Sequence, residues 1–152
     1  MEAGIGVMQP QAPTSPVSAE DFADILAATR EFVRDVVVPR EQEILREDRV
    51  PDDLREQAKD MGLFGYAIPQ EWGGLGLDLA QDVELAMELG YTSLALRSMF
   101  GTNNGIAGQV LVGYGTDEQK SQWLEKIASG EVVSSMLPQF RQIMNTRPAP
   151  SP

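Results

Sequence analysis

The stretch from Phe64 to Asp78, Phe-Gly-Tyr-Ala-Ile-Pro-Gln-Glu-Trp-Gly-Gly-Leu-Gly-Leu-Asp, limits what this chain can become more than any other part of it. Apolar residues recur at helical spacing on both sides of it, and that period stops within it. Pro69 removes a backbone donor and steers its neighbours toward extended or turn backbone. Gly73, Gly74 and Gly76 permit positive φ or close backbone approach. Phe64, Tyr66 and Trp72 set a large aromatic area among those glycines, so the loop is expected to pack down on something. Two readings stay open on these residues: a structured turn between helix pairs, and a loop that shapes a binding site.

The flanking segments read as helices. Ser18 followed by Glu20 and Asp21 resembles a capping box. Phe22, Ile25, Leu26, Thr29, Val33, Val36 and Val37 then form one apolar face, which Pro39 should kink or end. The charged run from Arg40 to Asp48 is expected to continue as an exposed helix with a solvated face. Pro51 fits the first position of a second helix, with Leu54, Ala58 and Met61 as its seam and Gly62 as its cap. Asp78 opens a third helix, in which Leu79, Val83, Ala86, Met87 and Leu89 form a broad apolar face closed by Gly90. Thr116 through Gln119 is a capping box for a fifth helix that buries Trp123, Leu124 and Ile127 and ends at Gly130. Val132 and Val133 read as the start of a strand.

The fourth helix, from Ser93 through about Val112, is unusual. Gly101, Gly105 and Gly108 lie in its interior, each costing about 1 kcal/mol against alanine. Thr102, Asn103 and Asn104 stand where a core helix should be apolar, and buried polar groups need partners. A close helix crossing and a ligand-facing wall are both compatible with this pattern.

Composition removes much chemistry. Among 152 residues there is no cysteine and no histidine. Disulfides, thiolate zinc sites, thiol nucleophiles, serine–histidine triads and histidine metal ligands are therefore excluded. No metal site and no catalytic residue is assigned; Glu71 and Asp78 flank the loop with no sign of pairing. With 12 basic and 23 acidic residues the net charge is -11, so neither nucleic acid nor an anionic membrane is an expected partner. No apolar run reaches the length of a membrane span, and no basic leader precedes one, so a cytoplasmic location is expected. Gly73-Gly74-Leu75-Gly76 lacks the spacing of a phosphate-binding glycine motif.

The order of these elements resembles the N-terminal helical domain of the acyl-CoA dehydrogenases. Gly62-Leu-Phe-Gly, Pro69-Gln-Glu-Trp-Gly-Gly-Leu-Gly-Leu-Asp78, Asn104, Tyr114-Gly-Thr-Asp-Glu-Gln-Lys120 and Trp123-Leu-Glu-Lys-Ile-Ala-Ser-Gly-Glu131 carry the likeness, over about Glu20 to Ser135. The resemblance implies an all-α bundle of about five helices over 18–135, between a disordered leader (1–17) and a Pro-rich, disordered tail (136–152). It implies a flavin-dependent enzyme that removes hydrogens from the α and β carbons of an acyl-CoA, with flavin adenine dinucleotide (FAD) as cofactor. In that family a glutamate of a C-terminal bundle is the base, and most flavin contacts come from later parts. The helical domain forms one wall of the acyl pocket, and Ser98, Met99, Thr102, Asn103 and Ile106 match that wall. The glycine loop would be mainly structural.

Beyond Ser135 the family's Thr-Glu-Pro-x-Ala-Gly-Ser-Asp segment is replaced by Met136-Leu-Pro-Gln-Phe-Arg. The expectation is a truncated or frameshifted reading frame; a downstream frame without family-like sequence in any phase would contradict it. This chain alone is expected neither to retain FAD nor to turn over. The alternative is a non-catalytic acyl-binding or interaction module, a homo- or hetero-oligomer partner of an intact dehydrogenase.

Overall fold

The computed structural model describes residues 17–133. The expected leader and Pro-rich tail lie outside the described residues, apart from Val17. Val17 is held in place, its carbonyl accepting from Gln81 Nε2 at 3.0 Å. Among the described residues every regular element is helical.

Five rods make up the fold. The first begins as α1 (Ala19–Glu31), capped by the Ser18 hydroxyl, which accepts from the Asp21 N–H. It does not break at Pro39. A π turn at Phe32–Val37 and a 3₁₀ turn at Val38–Arg40 carry it into α2 (Glu41–Glu47). The Val38 N–H reaches back to the Val33 carbonyl, and this widened turn accommodates a proline that cannot donate. Asp48, in left-handed backbone with φ 48°, ends the rod. The face expected from the sequence is the one buried: Phe22, Thr29, Val33 and Val37 are all in the interior. The charged run is not purely solvated, because Arg40 bonds both Glu43 and Asp53 and so joins the first rod to the second.

The second rod is α3 (Asp52–Asp60). Pro51 sits one position earlier than expected, in extended backbone before the first turn. The Leu63 N–H donates to the Ala58 carbonyl and the Gly62 N–H to the Lys59 carbonyl, the paired bonds that close a helix through a left-handed residue.

The third rod, α4 (Leu79–Leu89), has the expected capping box between Asp78 and Gln81. Its buried face differs from the expected one. Leu85, Glu88 and Leu89 are buried, whereas Leu79, Val83 and Met87 are 78%, 52% and 70% exposed. The contact with α1 selects the face that carries Glu88. That carboxylate takes Arg34 Nε at 2.9 Å and Arg30 Nε at 3.3 Å, which makes its burial tolerable.

The fourth rod runs through α5 (Leu94–Gly101), a π segment (Thr102–Gly108) and α6 (Gln109–Tyr114). The fifth is α7 (Asp117–Ala128), whose capping box between Thr116 and Gln119 forms as expected. The strand expected at Val132 does not form among the described residues. The Val132 N–H bonds the Lys126 carbonyl and its own carbonyl accepts from Asn103, so its backbone groups are used by neighbouring helices. Two apolar clusters fill the interior. The larger joins the first four rods, with Phe64 and Phe100 packed edge to face at 5.2 Å. The smaller joins Ile68 to Leu111, Leu124 and Ile127.

Candidate functional site

The loop and the unusual helix are one structure. Asn104 is fully buried; its Oδ1 accepts from the Ala67 N–H at 2.9 Å, and its Nδ2 donates to the carbonyls of Leu63 at 3.0 Å and Phe100 at 3.1 Å. Gln109 Nε2 donates to the Ala67 carbonyl at 3.2 Å. Asn103, also fully buried, donates to the carbonyls of Ile127 at 3.0 Å and Val132 at 2.9 Å. Two consecutive polar residues can both turn inward because the π turn is wider than an α turn. Gly108 is required there, since a Cβ would stand 2.5 Å from the Asn103 carbonyl oxygen.

The loop closes on itself by backbone bonds. The Leu75, Gly76 and Leu77 N–H groups donate to the carbonyls of Gly65, Ile68 and Tyr66 at 3.0, 2.9 and 2.9 Å. Gly74 is forced by this closure, because a Cβ at that position would lie 2.0 Å from the Ile68 oxygen. Phe64 and Tyr66 are buried and Trp72 is half-buried. The loop is packed down as its aromatic content requires.

The five residues singled out in the fourth helix separate into two groups. Ser98, Thr102 and Ile106 follow one another at intervals of four on the outward side of the rod; Ser98 and Ile106 are exposed and Thr102 is half-buried. The Thr102 hydroxyl donates to the Ser98 carbonyl. Met99 is half-buried against the larger cluster, and Asn103 is enclosed against α7. Beside the outward stripe, a Cβ added at Gly101 or Gly105 would meet no atom within 4 Å. These glycines leave open space along the wall.

At the α5 end this wall meets a cavity of about 20 Å³ lined by Tyr66, Ala86, Leu89, Arg97, Phe100 and Gly101. Tyr66 is only 4% exposed. Burial, and to a lesser degree the Asp82 carboxylate, push its phenol up to about 12, while Arg97 opposes them. The phenol is thus a neutral donor at physiological pH. Burial also pushes the Asp82 carboxyl up. Arg97 was not singled out in the sequence. The available signal was its place one turn before Gly101, where no side chain covers it.

These features define a class: a helical domain whose fourth helix is locked to a glycine loop on one side and presents an accessible, glycine-lined wall on the other. The family model described as "Acyl-CoA dehydrogenase, N-terminal domain" matches residues 19–131, and the chain belongs to that family. It is 39% identical over 89 residues to (2S)-methylsuccinyl-CoA dehydrogenase of Cereibacter sphaeroides, covering 59% of this chain and 16% of that protein. It is 29% identical over 121 residues to the very long-chain specific acyl-CoA dehydrogenase of Mus musculus, covering 80% of this chain and 18% of the relative. Among solved structures it is similar to an acyl-CoA dehydrogenase from Bacillus anthracis complexed with FAD, at a TM-score of 0.65 and 26% identity. That likeness covers 75% of this chain and 20% of the other. The chain therefore spans less than a fifth of the length of these curated relatives.

FAD, which that relative binds, finds no pyrophosphate cradle in the glycine loop. The Gly73, Gly74, Leu75 and Gly76 N–H groups are all spent on loop carbonyls, and such a cradle needs them free. Among the described residues no three or more acidic side chains gather as a metal site, and no helix is long and apolar enough to cross a membrane.

Proposed function

We propose that this domain supplies one wall of the acyl pocket in an α,β-dehydrogenation of acyl-CoA thioesters, and that the chain alone neither retains FAD nor turns over. One observation carries the reading: the stripe of Ser98, Thr102 and Ile106 is accessible beside two glycines with open space above them. Met99 and Asn103 belong to the same wall from behind, setting the depth at which the stripe stands. The relatives' names span methylsuccinyl and very long-chain esters, so the shared chemistry is the acyl thioester and not one chain length. Hydride transfer needs a flavin held against the substrate, and proton removal needs a base within hydrogen-bond reach. No residue of this chain is assigned either task.

The test is pentanoyl-CoA added to the isotopically labelled chain, read by backbone amide shifts. Saturable shifts centred on residues 98–106 are expected, with no reduction of an electron acceptor above a flavin-only control. Shifts absent from that helix, or turnover by the pure chain, would contradict the reading.

A second reading, association with an intact dehydrogenase, draws on the exposed stripe Leu79, Val83 and Met87 of α4. Contiguous apolar surface of this kind favours a covered state. A stoichiometric complex with a full-length dehydrogenase, lost in Val83→Lys, is its expected outcome; no complex at any ratio would sink it.

A further inference from the structure

We propose that residues 136–144 of this chain lie along the outward wall of the fourth rod, where an acyl group would lie, and compete with it. The competition rests on the acyl-wall reading above; the seating of the segment does not.

The chain leaves the described body beside that wall. The Val132 carbonyl accepts from Asn103 Nδ2 at 2.9 Å, and Val133 packs against the larger cluster, as Met99 does. Met99 and Asn103 are the chain neighbours of Ser98 and Thr102 on the fourth rod. From Ser98 to Ile106 the wall is about 12 Å long. A chain that starts at Val133 can extend about 23 Å by Phe140, so the segment reaches every point of the wall. A segment tethered this close acts at high effective concentration.

The wall has apolar ends and an open floor. Leu94 continues the stripe of Ser98, Thr102 and Ile106 by one turn; it is 77% exposed and Ile106 is 41% exposed. Between these two, a Cβ added at Gly101 or Gly105 would meet no atom within 4 Å. A ring can lie against backbone there, and apolar chain on either side of it covers Leu94 and Ile106.

Residues 136–144 lie outside the described residues, and their composition suits this seat. Met136, Leu137, Phe140, Ile143 and Met144 make five of the nine apolar. The charges are complementary as well. Arg141 and Arg147 are the only charged side chains beyond Val133, whereas every acidic residue except Glu2 lies within 17–133. A basic segment is attracted to so acidic a body, and a second copy of that body is repelled by it. Arg97, the one charged side chain of the fourth rod, disfavours Arg141 at its own end of the wall.

The chain has no cysteine, so Asn145→Cys gives a single attachment point for a nitroxide on the full chain. The backbone amide signals of residues 98–106 are expected to lose most of their intensity, and to regain it when the nitroxide is reduced. Phe140→Asp, outside the folded body, should abolish that loss and tighten pentanoyl-CoA binding severalfold by calorimetry, because the competing state is removed. Loss no greater than a free nitroxide causes would overturn the seating, and so would loss centred on residues 79–87. Loss in an isotopically labelled copy mixed with a nitroxide-bearing one would assign the contact to a second copy and overturn it too. Loss at 98–106 with no saturable binding of pentanoyl-CoA by either protein would sink the acyl-wall reading, and the competition with it, while the seating stands.

Discussion

Single side chains hold the fold to its site. Asn104 makes three bonds that join the Leu63–Ala67 backbone to the fourth helix. Asn104→Ala would leave a buried N–H and two carbonyls with lost partners, each costing about 1–3 kcal/mol. The expected loss is about 3 kcal/mol, measured by urea unfolding; a loss under about 1 kcal/mol would show the pin to be dispensable. Glycines give two opposite predictions. Gly74→Ala sets a Cβ 2.0 Å from the Ile68 oxygen, and the loop must shift, at a cost above about 3 kcal/mol. Gly101→Ala meets nothing within 4 Å, in helical backbone, and should stabilise by about 0.5–1 kcal/mol. If the acyl-wall reading holds, the same methyl narrows the open space and weakens pentanoyl-CoA binding. A thermal midpoint that falls in Gly101→Ala would refute the stability half of this expectation.

At the scale of elements, the helix ends were legible and the faces less so. Ser18, Asp78, Ser93 and Thr116 all cap as their residue types and spacing dictate, each accepting a backbone N–H. These are local bonds that depend on a few adjacent residues. The face of α4 was not local. Leu79, Val83 and Met87 make a better apolar stripe than the one that is buried, but Glu88 is held by two arginines from the first rod. Only the pairing of rods reveals that. The same holds for Asn103 and Asn104, whose need for partners was legible while the partners were not. The strand expected at Val132 failed for a related reason: extended backbone needs a neighbour, and there the neighbours are helix ends.

The Glu88 cluster also sets a pH dependence. Burial pushes the Glu88 carboxyl up, but the hydrogen bonds from Arg34 and Arg30 outweigh it and hold the group below its ordinary value of 4.5. A lowered native pKa means that the unfolded chain binds protons first as pH falls. The contribution is full above about 4.5 and is lost as pH drops through the native value. Unfolding midpoints measured from pH 7 to 3 should therefore decline below that point, and the decline should be shallower in Glu88→Gln. An equal slope in the two proteins would remove Glu88 from the account.

For the whole molecule, the division of labour matters most. The described residues form a closed helical body with its own two cores, one accessible helix wall, and a glycine loop whose donors are consumed internally. The five-helix class and the family were legible because capping boxes and the glycine loop survive as short sequence patterns. The accessible stripe was legible only in part, since the inward turn of Asn103 depends on the π segment. Arg97 and Tyr66, 31 residues apart in sequence, line one cavity with residues of α4 and α5, which no local pattern could foretell. The central claim is that this body offers a wall for the acyl group and no hold for the flavin. Its most direct test is the visible absorption spectrum of the purified chain after incubation with FAD and desalting. A colourless protein is the predicted result; flavin retained in stoichiometric amount would contradict it.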